Sequence, residues 1–293
     1  LIHGAYYRFV VEKPVQQILN ATKKIINGDF NVRIEPMDTF GKRNELDIII
    51  DNFNEMAGEL GSIETLRTDF ISNVSHELKT PLSIIQNYSA LMQDERTTDL
   101  ERKEYSKSIY ETSQNLSNLI TNILKLNKLE NQKIFLETSE YNLSEQLIEC
   151  LLCFESIWEE KNINIDVDIE EDLMLNADKE LTSIIWNNLY SNAFKFTEDS
   201  GEVSINAKSE NNFIIVSISD NGCGMSKDTG KHIFEKFYQG DTSHATNGNG
   251  LGLALVKRII DIMNADIYIE STLGKGTTFT VKLDLNKNKI YNI

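Results

Sequence analysis

The stretch SHELKTPL, residues 75–82, places a proline inside what otherwise reads as one long amphipathic helix. Pro81 cannot donate a hydrogen bond to the carbonyl of Glu77 and clashes with it, so we expect the helix to bend just beyond His76. A bend lets one helix face two different docking partners. His76 and Thr80 lie one turn apart on the same face, with Glu77 beside them. What this histidine does depends on the segments around it.

Composition and charge set the class of protein. The chain has 293 residues and a formal net charge of −16, which argues against binding to nucleic acid or to an acidic membrane surface. No run of about 18 apolar residues is present that would span a bilayer. The chain begins at Leu1 and not at Met, so we expect a fragment of a longer protein. Residues 1–12 fit the cytoplasmic end of a lost membrane helix and fit a frayed first helical turn equally well.

The three cysteines do not form a recognisable metal or redox site. Cys150 and Cys153 form a C-x-x-C pair, but the surrounding IECLLCFE is typical of a helix interior. There is no second pair and no nearby histidine, so we expect both to be buried core residues. Cys223 lies in a glycine loop. So few cysteines suit a reducing cytoplasm.

The first 60 residues predict two helices joined by an extended connector. Pro14 suits a helix start and Gly28 a helix end, and Pro36 and Gly41 fall in the connector. Apolar residues follow at helical spacing in the first helix: Val15, Ile18, Leu19, Ile25 and Ile26. In the second helix they form a coiled-coil seam: Leu46, Ile49, Phe53, Met56 and Leu60. Two such short helices imply a dimeric four-helix bundle.

The heptad repeat loses one residue before it reaches His76. After Leu60 comes Ile63, and the next apolar residue is Leu66, where the repeat requires position 67. This three-residue step is a stammer, which overwinds a coiled coil locally. A polar turn at 94–99 then precedes a partner helix with apolar residues at heptad spacing: Tyr105, Ile109, Thr112, Leu116, Leu119, Ile123 and Leu126. Residues 63–131 therefore predict a helical hairpin that dimerises.

From about residue 132 the pattern becomes that of a two-layer α/β domain. Strand-like runs cover 163–169, 201–207, 213–220, 266–271 and 277–283, and helical segments lie near 144–160, 179–195 and 251–264. Nine of the 15 glycines fall between residues 222 and 276. Glycine concentrated in this way indicates backbone that holds a ligand.

Short motifs with matching chemistry occur in this domain. The segment NNLYSNAFKF places Asn188, Asn192 and Lys195 along one helix face. DNGCGM places Asp220 at a strand end, before Gly222 and Gly224. The remaining motifs are FEKF at 234–237, NGNGLGLALVK with Gly248, Gly250, Leu251 and Gly252, and GKGTTF with Gly274, Gly276 and Thr277.

The residue types in these motifs suit a nucleotide and its metal. A glycine loop that opens a helix offers free N–H groups to an anion. An asparagine oxygen can complete the coordination of Mg²⁺ that already holds phosphates, and a carboxylate at a strand end can accept from an adenine amino group. Each motif alone is weak. The chain lacks the G-K-[ST] of a P-loop, and the order of elements does not fit a Rossmann fingerprint.

In this order the motifs resemble the ATP-binding domain shared by histidine kinases, gyrase-type ATPases and Hsp90-like chaperones, the Bergerat or GHKL fold. FISNVSHELKTPL, residues 70–82, resembles the phospho-acceptor box of sensor histidine kinases. Residues 14–60 resemble a HAMP linker. We therefore expect helical dimeric bundles followed by an α/β sandwich. The expected divisions are a juxtamembrane remnant at 1–12, HAMP at 13–62, the phosphotransfer hairpin at 63–131 and the ATP-binding domain at 132–293.

The resemblance implies roles for the three residues of the acceptor box. His76 is the nucleophile and phosphate carrier, and Glu77 orients or deprotonates its ring. Thr80 positions the water that dephosphorylates the partner protein.

The resemblance also implies roles in the ATP-binding domain. Asn192 binds Mg²⁺ with support from Asn188, Lys195 reaches the phosphates, and Asp220 reads adenine. Lys236 either contacts the γ-phosphate or is an ordinary surface lysine. Residues 225–249 form the lid over ATP, and its histidines, His232 and His244, receive no role. Backbone access to the nucleotide comes from Gly222, Gly224, Gly248, Gly250, Leu251 and Gly252, and Thr277 helps to hold the base.

These expectations combine into one interpretation. The chain is read as the cytoplasmic part of a sensor histidine kinase that is anchored in the cell membrane by a missing N-terminal segment. It uses ATP and Mg²⁺ to phosphorylate His76, passes the phosphoryl group to an aspartate of a response regulator, and works as a homodimer. One rival is an ATPase or chaperone of the same fold, which would need neither the His76 box nor the HAMP seam. The other is a non-catalytic scaffold, which would have lost Asn192 or the glycine loop.

Overall fold

A computed structural model of the chain describes residues 7–36, 45–131, 136–240 and 248–285. Compact packing divides the chain into two units, Leu1–Lys79 and Thr80–Ile293. In the described residues, no helix is both long and apolar enough to cross a bilayer. Residues 1–6 and the part of the connector that contains Gly41 lie outside the described residues.

The first helical module begins with a short π-helix, Arg8–Glu12, that leads into α1, Lys13–Ile26. Pro14 is near the start of α1, as predicted, because the first turn of a helix has no use for its missing N–H. The helix ends as predicted too. Gly28 adopts a positive φ of 89° and its N–H bonds to the carbonyl of Ile25 at 2.9 Å.

The long helix α2, Glu45–Met92, packs on α1 through a face that differs from the predicted seam. The buried cluster joins α1, the connector and α2 through Ala21, Ile34, Ile50, Phe53 and Ala57. Of the seam residues only Phe53 belongs to it, whereas Ile49 and Met56 are 48% and 51% exposed. The neighbouring row of α2 thus serves the fold of the single chain, and dimerisation through the seam stays a prediction.

Two features hold the connector against α2. The side chain of Asn54 exchanges two hydrogen bonds with the backbone of Ile34, at 2.9 and 2.8 Å. Gly61 lies beneath Phe30, where an added Cβ would come within 3.2 Å of the Phe30 Cβ. Gly61 therefore permits close packing, a role separate from any effect on the heptad repeat.

Helix α2 continues unbroken through Pro81, so the proline does not end the helix. The expected bend stays a prediction. Helix α3, Asp99–Asn131, follows the predicted polar turn. Arg102 ties this turn together by donating to the carbonyls of Met92, Asp94 and Thr97. Tyr88 stacks on Tyr105 at 5.2 Å between ring centroids, and the predicted stripe of α3 is its covered face, with Leu119 and Leu126 buried.

The α/β domain contains the five predicted strands in one sheet, ordered β2-β4-β5-β7-β6. These are β2, Asn164–Ile169; β4, Glu202–Glu210; β5, Phe213–Asp220; β6, Asp266–Thr272; and β7, Gly276–Asp284. Only β2 and β4 run parallel. Two four-residue strands escaped prediction: β1, Ser139–Asn142, pairs with β3, Met174–Ala177. Strands this short carry little alternation.

Helices cover one face of the sheet. They are α4, Leu143–Leu152; α5, Glu155–Glu160; α6, Lys179–Phe196; α7, Lys227–His232; and α8, Gly252–Ile262. Helix α6 is central, since it contacts α4, α8 and β5 and buries Trp186, Tyr190 and Phe194. The predicted two-layer architecture is confirmed.

One of the cysteine predictions was wrong. Cys150 is buried in α4, as expected, but Cys153 lies just beyond the helix and is exposed. The helix ends at Leu152, so Cys153 does not continue the apolar face on which Cys150 lies.

Candidate nucleotide site

Helix α6 presents the asparagine and lysine residues of the site. Asp178 caps its first turn by accepting from the N–H groups of Glu180 and Leu181, each at 3.1 Å. Gln146 of α4 anchors the buried side, where its side-chain oxygen accepts from Trp186 at 3.2 Å and from Thr182 at 3.0 Å. Because this side is fixed in the core, the half-buried row of Asn188, Asn192 and Lys195 faces away from it.

The glycine loop before α8 meets this row at two points. A Cβ at Gly252 would overlap the side-chain oxygen of Asn188, and a Cβ at Gly248 would overlap the ammonium of Lys195. Asn188 also donates to the carbonyl of Ile184 at 2.7 Å, which fixes its amide. The structure thus brings together two motifs that lie about 60 residues apart in the sequence.

Lys195 and Asn192 differ in how their polar groups are satisfied. The Lys195 ammonium lies 4.6 Å from the ring centre of Phe196, and burial lowers the pKa of the lysine. Among the residues that the structure describes, the Asn192 side chain makes no hydrogen bond. Its oxygen is therefore available to a ligand or a metal.

Asp220 ends β5 and is half-buried. One carboxylate oxygen accepts from the N–H of Gly222 at 3.0 Å. Burial raises the pKa of Asp220 to about 6, against the opposing effect of backbone hydrogen bonds from Gly222 and Thr277. At neutral pH the group is a poorly hydrated carboxylate, a strong acceptor for a hydrogen-bond donor that enters from outside.

Thr277 lies beside Asp220, and its expected role in holding the base stays a prediction. The two residues are register partners on β5 and β7. The Thr277 hydroxyl is 2.9 Å from that of Ser271, which also receives the N–H of Met225 at 2.8 Å. Ser271 was missed by sequence reasoning because a serine on an edge strand carries no distinctive signal.

The glycines of the D-x-G-x-G and G-x-G motifs make room for protein backbone. A Cβ at Gly222 would overlap the carbonyl oxygen of Phe196, one at Gly224 that of Thr272, and one at Gly276 that of Asp220. Gly276 also has a φ of 108°, which other residues rarely adopt. The expected role of Gly222 and Gly224, to give a ligand access to the backbone, stays a prediction. In the structure, the three glycines let their loops approach the end of α6 and the ends of β5 and β6.

The rest of the G-x-G-L-G-L motif is built into the fold. Gly250 has a φ of 62°, and its carbonyl accepts from the N–H of Phe237 at 2.9 Å. Leu251 is fully buried, so its side chain packs in the core and does not face a nucleotide. Gly252 begins α8, and the first N–H groups of a helix are suited to binding an anion.

The Lys236 side chain contacts the end of α3. Its ammonium is 2.8 Å from the carboxylate of Glu130. Nearby, the Arg258 side chain donates to the carbonyl of Leu129 at 3.0 Å. The γ-phosphate contact expected of Lys236 stays a prediction. His244 and most of the lid tip, at 241–247, lie outside the described residues, while His232 pairs with Glu235 at 2.6 Å.

The predicted acceptor histidine is openly accessible. The His76 side chain is 81% exposed, and its Nδ1 lies 3.9 Å from a carboxylate oxygen of Glu77. Both residues and Thr80 belong to the continuous helix α2. An exposed imidazole with an adjacent carboxylate suits a group that must meet a separate donor.

Sequence reasoning also missed Lys161, at the C-cap of α5. Its ammonium binds carbonyl groups at the end of α6, with distances of 2.8 Å to Phe194 and Thr197. The local sequence WEEKNIN is that of an ordinary polar helix end, and nothing in it indicates these distant partners.

Two family models match the chain. Residues 66–132 match the His Kinase A (phospho-acceptor) domain. Residues 177–287 match the Histidine kinase-, DNA gyrase B-, and HSP90-like ATPase family. The first range contains His76 and the second contains the nucleotide-site cluster. Both family models thus support the resemblance to a histidine kinase that the motifs indicated.

Curated relatives include the heme sensor protein HssS of Staphylococcus saprophyticus, 32% identical over 276 residues, which are 93% of this chain and 58% of that protein. HssS of Staphylococcus aureus strain JH9 is 32% identical over 281 residues, which are 96% of this chain and 60% of that protein. The chain thus spans about three fifths of the length of these relatives.

Solved structures share the fold. Histidine kinase ThkA in complex with response regulator protein TrrA aligns with a TM-score of 0.65 at 24% identity, over 78% of this chain and 64% of that one. Full-length ShkA in complex with AMPPNP aligns with a TM-score of 0.55 at 27% identity, over 75% of this chain and 45% of that one.

Proposed function

We propose that this chain, which belongs to the histidine kinase family, transfers the γ-phosphoryl group of ATP to His76. The observation that carries the proposal is the meeting of the α6 row with the glycine loop. Asn188 lies against Gly252 and Lys195 against Gly248. This places a cation and the first N–H groups of α8 beside one another, as the binding of phosphates requires.

The rest of the cluster fits the other parts of ATP. The Asp220 carboxylate is suited to accept from the adenine amino group, with Thr277 beside it. The unpartnered oxygen of Asn192 fits one coordination position of Mg²⁺, whose remaining ligands would be phosphates and water. When bound, Mg²⁺ would neutralise charge on the phosphates. ShkA in complex with AMPPNP supports this choice of ligand.

The acceptor box supplies the second half of the reaction. The exposed His76 imidazole attacks the γ-phosphorus through one ring nitrogen. The bond from this phosphorus to the β–γ bridging oxygen breaks and ADP leaves, while Glu77 orients the ring and accepts the proton of its other nitrogen. The phosphoryl group then passes to an aspartate of a response regulator. The complex of ThkA with TrrA supports a partner of this kind.

The first 62 residues would connect this reaction to a signal. The α1–connector–α2 module at 13–62 fits a HAMP linker, and the exposed residues Ile49 and Met56 fit a seam between two copies. The longer protein would therefore work as a homodimer at the cell membrane, with this part in the cytoplasm. Equilibrium sedimentation tests the dimer, and replacing both seam residues by Glu should dissociate it.

Labelled ATP tests the central proposal. Wild-type protein should acquire acid-labile, base-stable phosphate. His76→Gln should abolish the label and leave ATP affinity nearly unchanged, whereas Asn192→Asp should weaken Mg²⁺-ATP binding by about tenfold or more, because it adds a negative charge beside the phosphates. His232→Gln and Asn118→Asp, at positions without a proposed role, serve as matched controls.

The two rivals predict other outcomes of the same assay. An ATPase or chaperone would release inorganic phosphate without labelling the protein, and a scaffold would do neither. Label that persists on His76→Gln would contradict the assignment of the acceptor.

A further inference from the structure

The C-terminal end of α6 is held by a lysine from another element. The ammonium of Lys161 lies 2.8 Å from the carbonyl oxygen of Phe194, 2.8 Å from that of Thr197 and 3.4 Å from that of Lys195. Phe194 and Lys195 lie in the last turn of α6, and Thr197 follows the helix directly. Lys195 also belongs to the half-buried row with Asn188 and Asn192. One side chain from the end of α5 thus reaches across more than 30 residues of sequence.

A cation at this position matches the electrostatics of a helix end. The last four carbonyls of a helix have no partner within it, and they form the negative end of the helix dipole. Here the carbonyl of Ala193 receives the N–H and the hydroxyl of Thr197. Lys161 provides donors for the next two carbonyls, and its half-buried position limits screening by solvent.

The placement of Lys161 is fixed by packing around it. The rings of Phe154 and Trp158 lie 5.5 and 5.8 Å from that of Phe194, so α5 is docked on the buried side of α6. The backbone carbonyl of Lys161 also accepts from the N–H of Ser200 at 2.7 Å. The ammonium is thus presented to α6 from a rigid support.

The opposite side of the same helix end meets the D-x-G-x-G loop, which begins at Asp220. The carbonyl of Phe196 fills the space that a side chain at Gly222 would need, and the N–H of Gly222 binds the Asp220 carboxylate. The end of α6 therefore lies between Lys161 and the D-x-G-x-G loop. It also carries Lys195, whose ammonium adjoins Gly248.

We propose that Lys161 is a positioning residue of the ATP site, which holds the end of α6 so that Lys195 faces the phosphates. The inference rests on the proposed function, because it assigns Lys195 to the phosphates. Lys161 itself touches only protein backbone in these contacts. Lys195 lies on α6, whereas Asp220 is carried by β5 and its pairing with β7. Loss of Lys161 should therefore weaken binding of the phosphate part of the ligand more than binding of the base.

The test compares two ligands on one variant. Affinities for Mg²⁺-ATP and for adenosine are measured by displacement of a fluorescent nucleotide from wild type, Lys161→Met and the control Lys208→Met, an exposed lysine on β4. We expect Lys161→Met to lose about tenfold in ATP affinity, the order of effect of removing a charged hydrogen-bond partner. Adenosine affinity should change less than twofold, and the control should match wild type for both ligands.

Three results would overturn the inference: unchanged ATP affinity, equal losses for ATP and adenosine, or the same selective loss in Lys208→Met. If Lys161→Met does not fold, Lys161→Gln, which keeps a donor without the charge, is judged by the same criteria. Wild-type protein that binds neither ligand would contradict the proposed function, whereas wild-type binding with an unaffected variant contradicts only the role of Lys161.

Discussion

At the scale of single residues, Asp220 joins binding and stability. Its pKa rises from 3.8 to about 6 because the carboxyl is buried. A raised pKa means that the folded state favours the protonated form, so the native protein is penalised as pH rises through this range. We propose that this penalty is tolerated because the carboxylate is a stronger acceptor than a carboxylic acid for the adenine amino group. Such a conflict between function and stability is common at binding sites.

We therefore expect Asp220→Asn to stabilise the fold and weaken the site. Relative to wild type, the variant should gain about 1 kcal/mol more in free energy of unfolding at pH 8 than at pH 5, since it lacks the buried charge. ATP affinity should fall by about tenfold. Urea denaturation at the two pH values measures the first effect, and Asp199→Asn, at an exposed position, is the matched control. If the variant and wild type differ by the same free energy of unfolding at both pH values, burial of the charge does not destabilise the fold.

Thr80 tests a second activity of the acceptor helix. It lies on α2 four residues after His76, where its hydroxyl would position a water for dephosphorylation of the regulator. Thr80→Ala should retain autophosphorylation and lose most of the phosphatase activity, measured as loss of label from a purified phospho-regulator. Thr121→Ala, an exposed threonine on α3, is the control. If Thr80→Ala dephosphorylates the regulator at the wild-type rate, Thr80 does not position the water for this reaction.

At the scale of elements, the end of α3 is attached to the ATP-binding domain through two polar contacts. Glu130 pairs with Lys236, and the carbonyl of Leu129 accepts from Arg258 of α8. Leu126 and Leu129 are buried in the same region. The position of Lys236 in the FEKF motif suggests that its ammonium also binds the γ-phosphate. In that case Glu130 and ATP compete for the Lys236 ammonium.

Glu130→Gln should then accelerate autophosphorylation. A partly exposed ion pair of this kind contributes about 0.2–1 kcal/mol, so the expected gain in rate is about 1.4- to fivefold. The initial rate of labelling at saturating ATP measures it, and Lys236→Met should slow the same reaction. Asp261→Asn removes an exposed i,i+4 pair with Lys257 on α8 and is the matched control. If Glu130→Gln autophosphorylates more slowly than wild type, the Glu130–Lys236 pair positions the domain for the reaction and does not restrain Lys236.

At the scale of the whole molecule, α2 runs without interruption from the first helical module through His76 to Met92. Its heptad repeat nevertheless loses one residue between Ile63 and Leu66. Two registers that cannot both be satisfied make a bistable element when their packing energies differ by a few kcal/mol. A tilt or rotation of the first module would then select one register.

Inserting one residue after Ser62 restores the four-residue spacing and should remove this conflict. We expect the full-length protein with this insertion to be locked in one activity, kinase or phosphatase, and to ignore its signal. An insertion of seven residues at the same point lengthens the helix and keeps the phase of the repeat, so that protein should still switch. Switching over the wild-type range in the one-residue variant would exclude the stammer as the switch.

The sequence by itself determined the elements and the motifs, because these depend on neighbouring residues. Alternation along 201–207 and 213–220 predicted β4 and β5, Pro14 and Gly28 marked the ends of α1, and the order of the glycine motifs indicated the ATP-binding fold. Each signal reports a local preference for one face or one backbone conformation.

Only the tertiary structure decided which surfaces meet. It placed Ile50 and Ala57 of α2, and not Ile49 and Met56, against the connector. It also joined Lys161 to the end of α6 and Glu130 to Lys236. These partners are separated by 33 and 106 residues. Local patterns cannot specify such pairs, because the contact energy depends on where the rest of the chain places the two side chains.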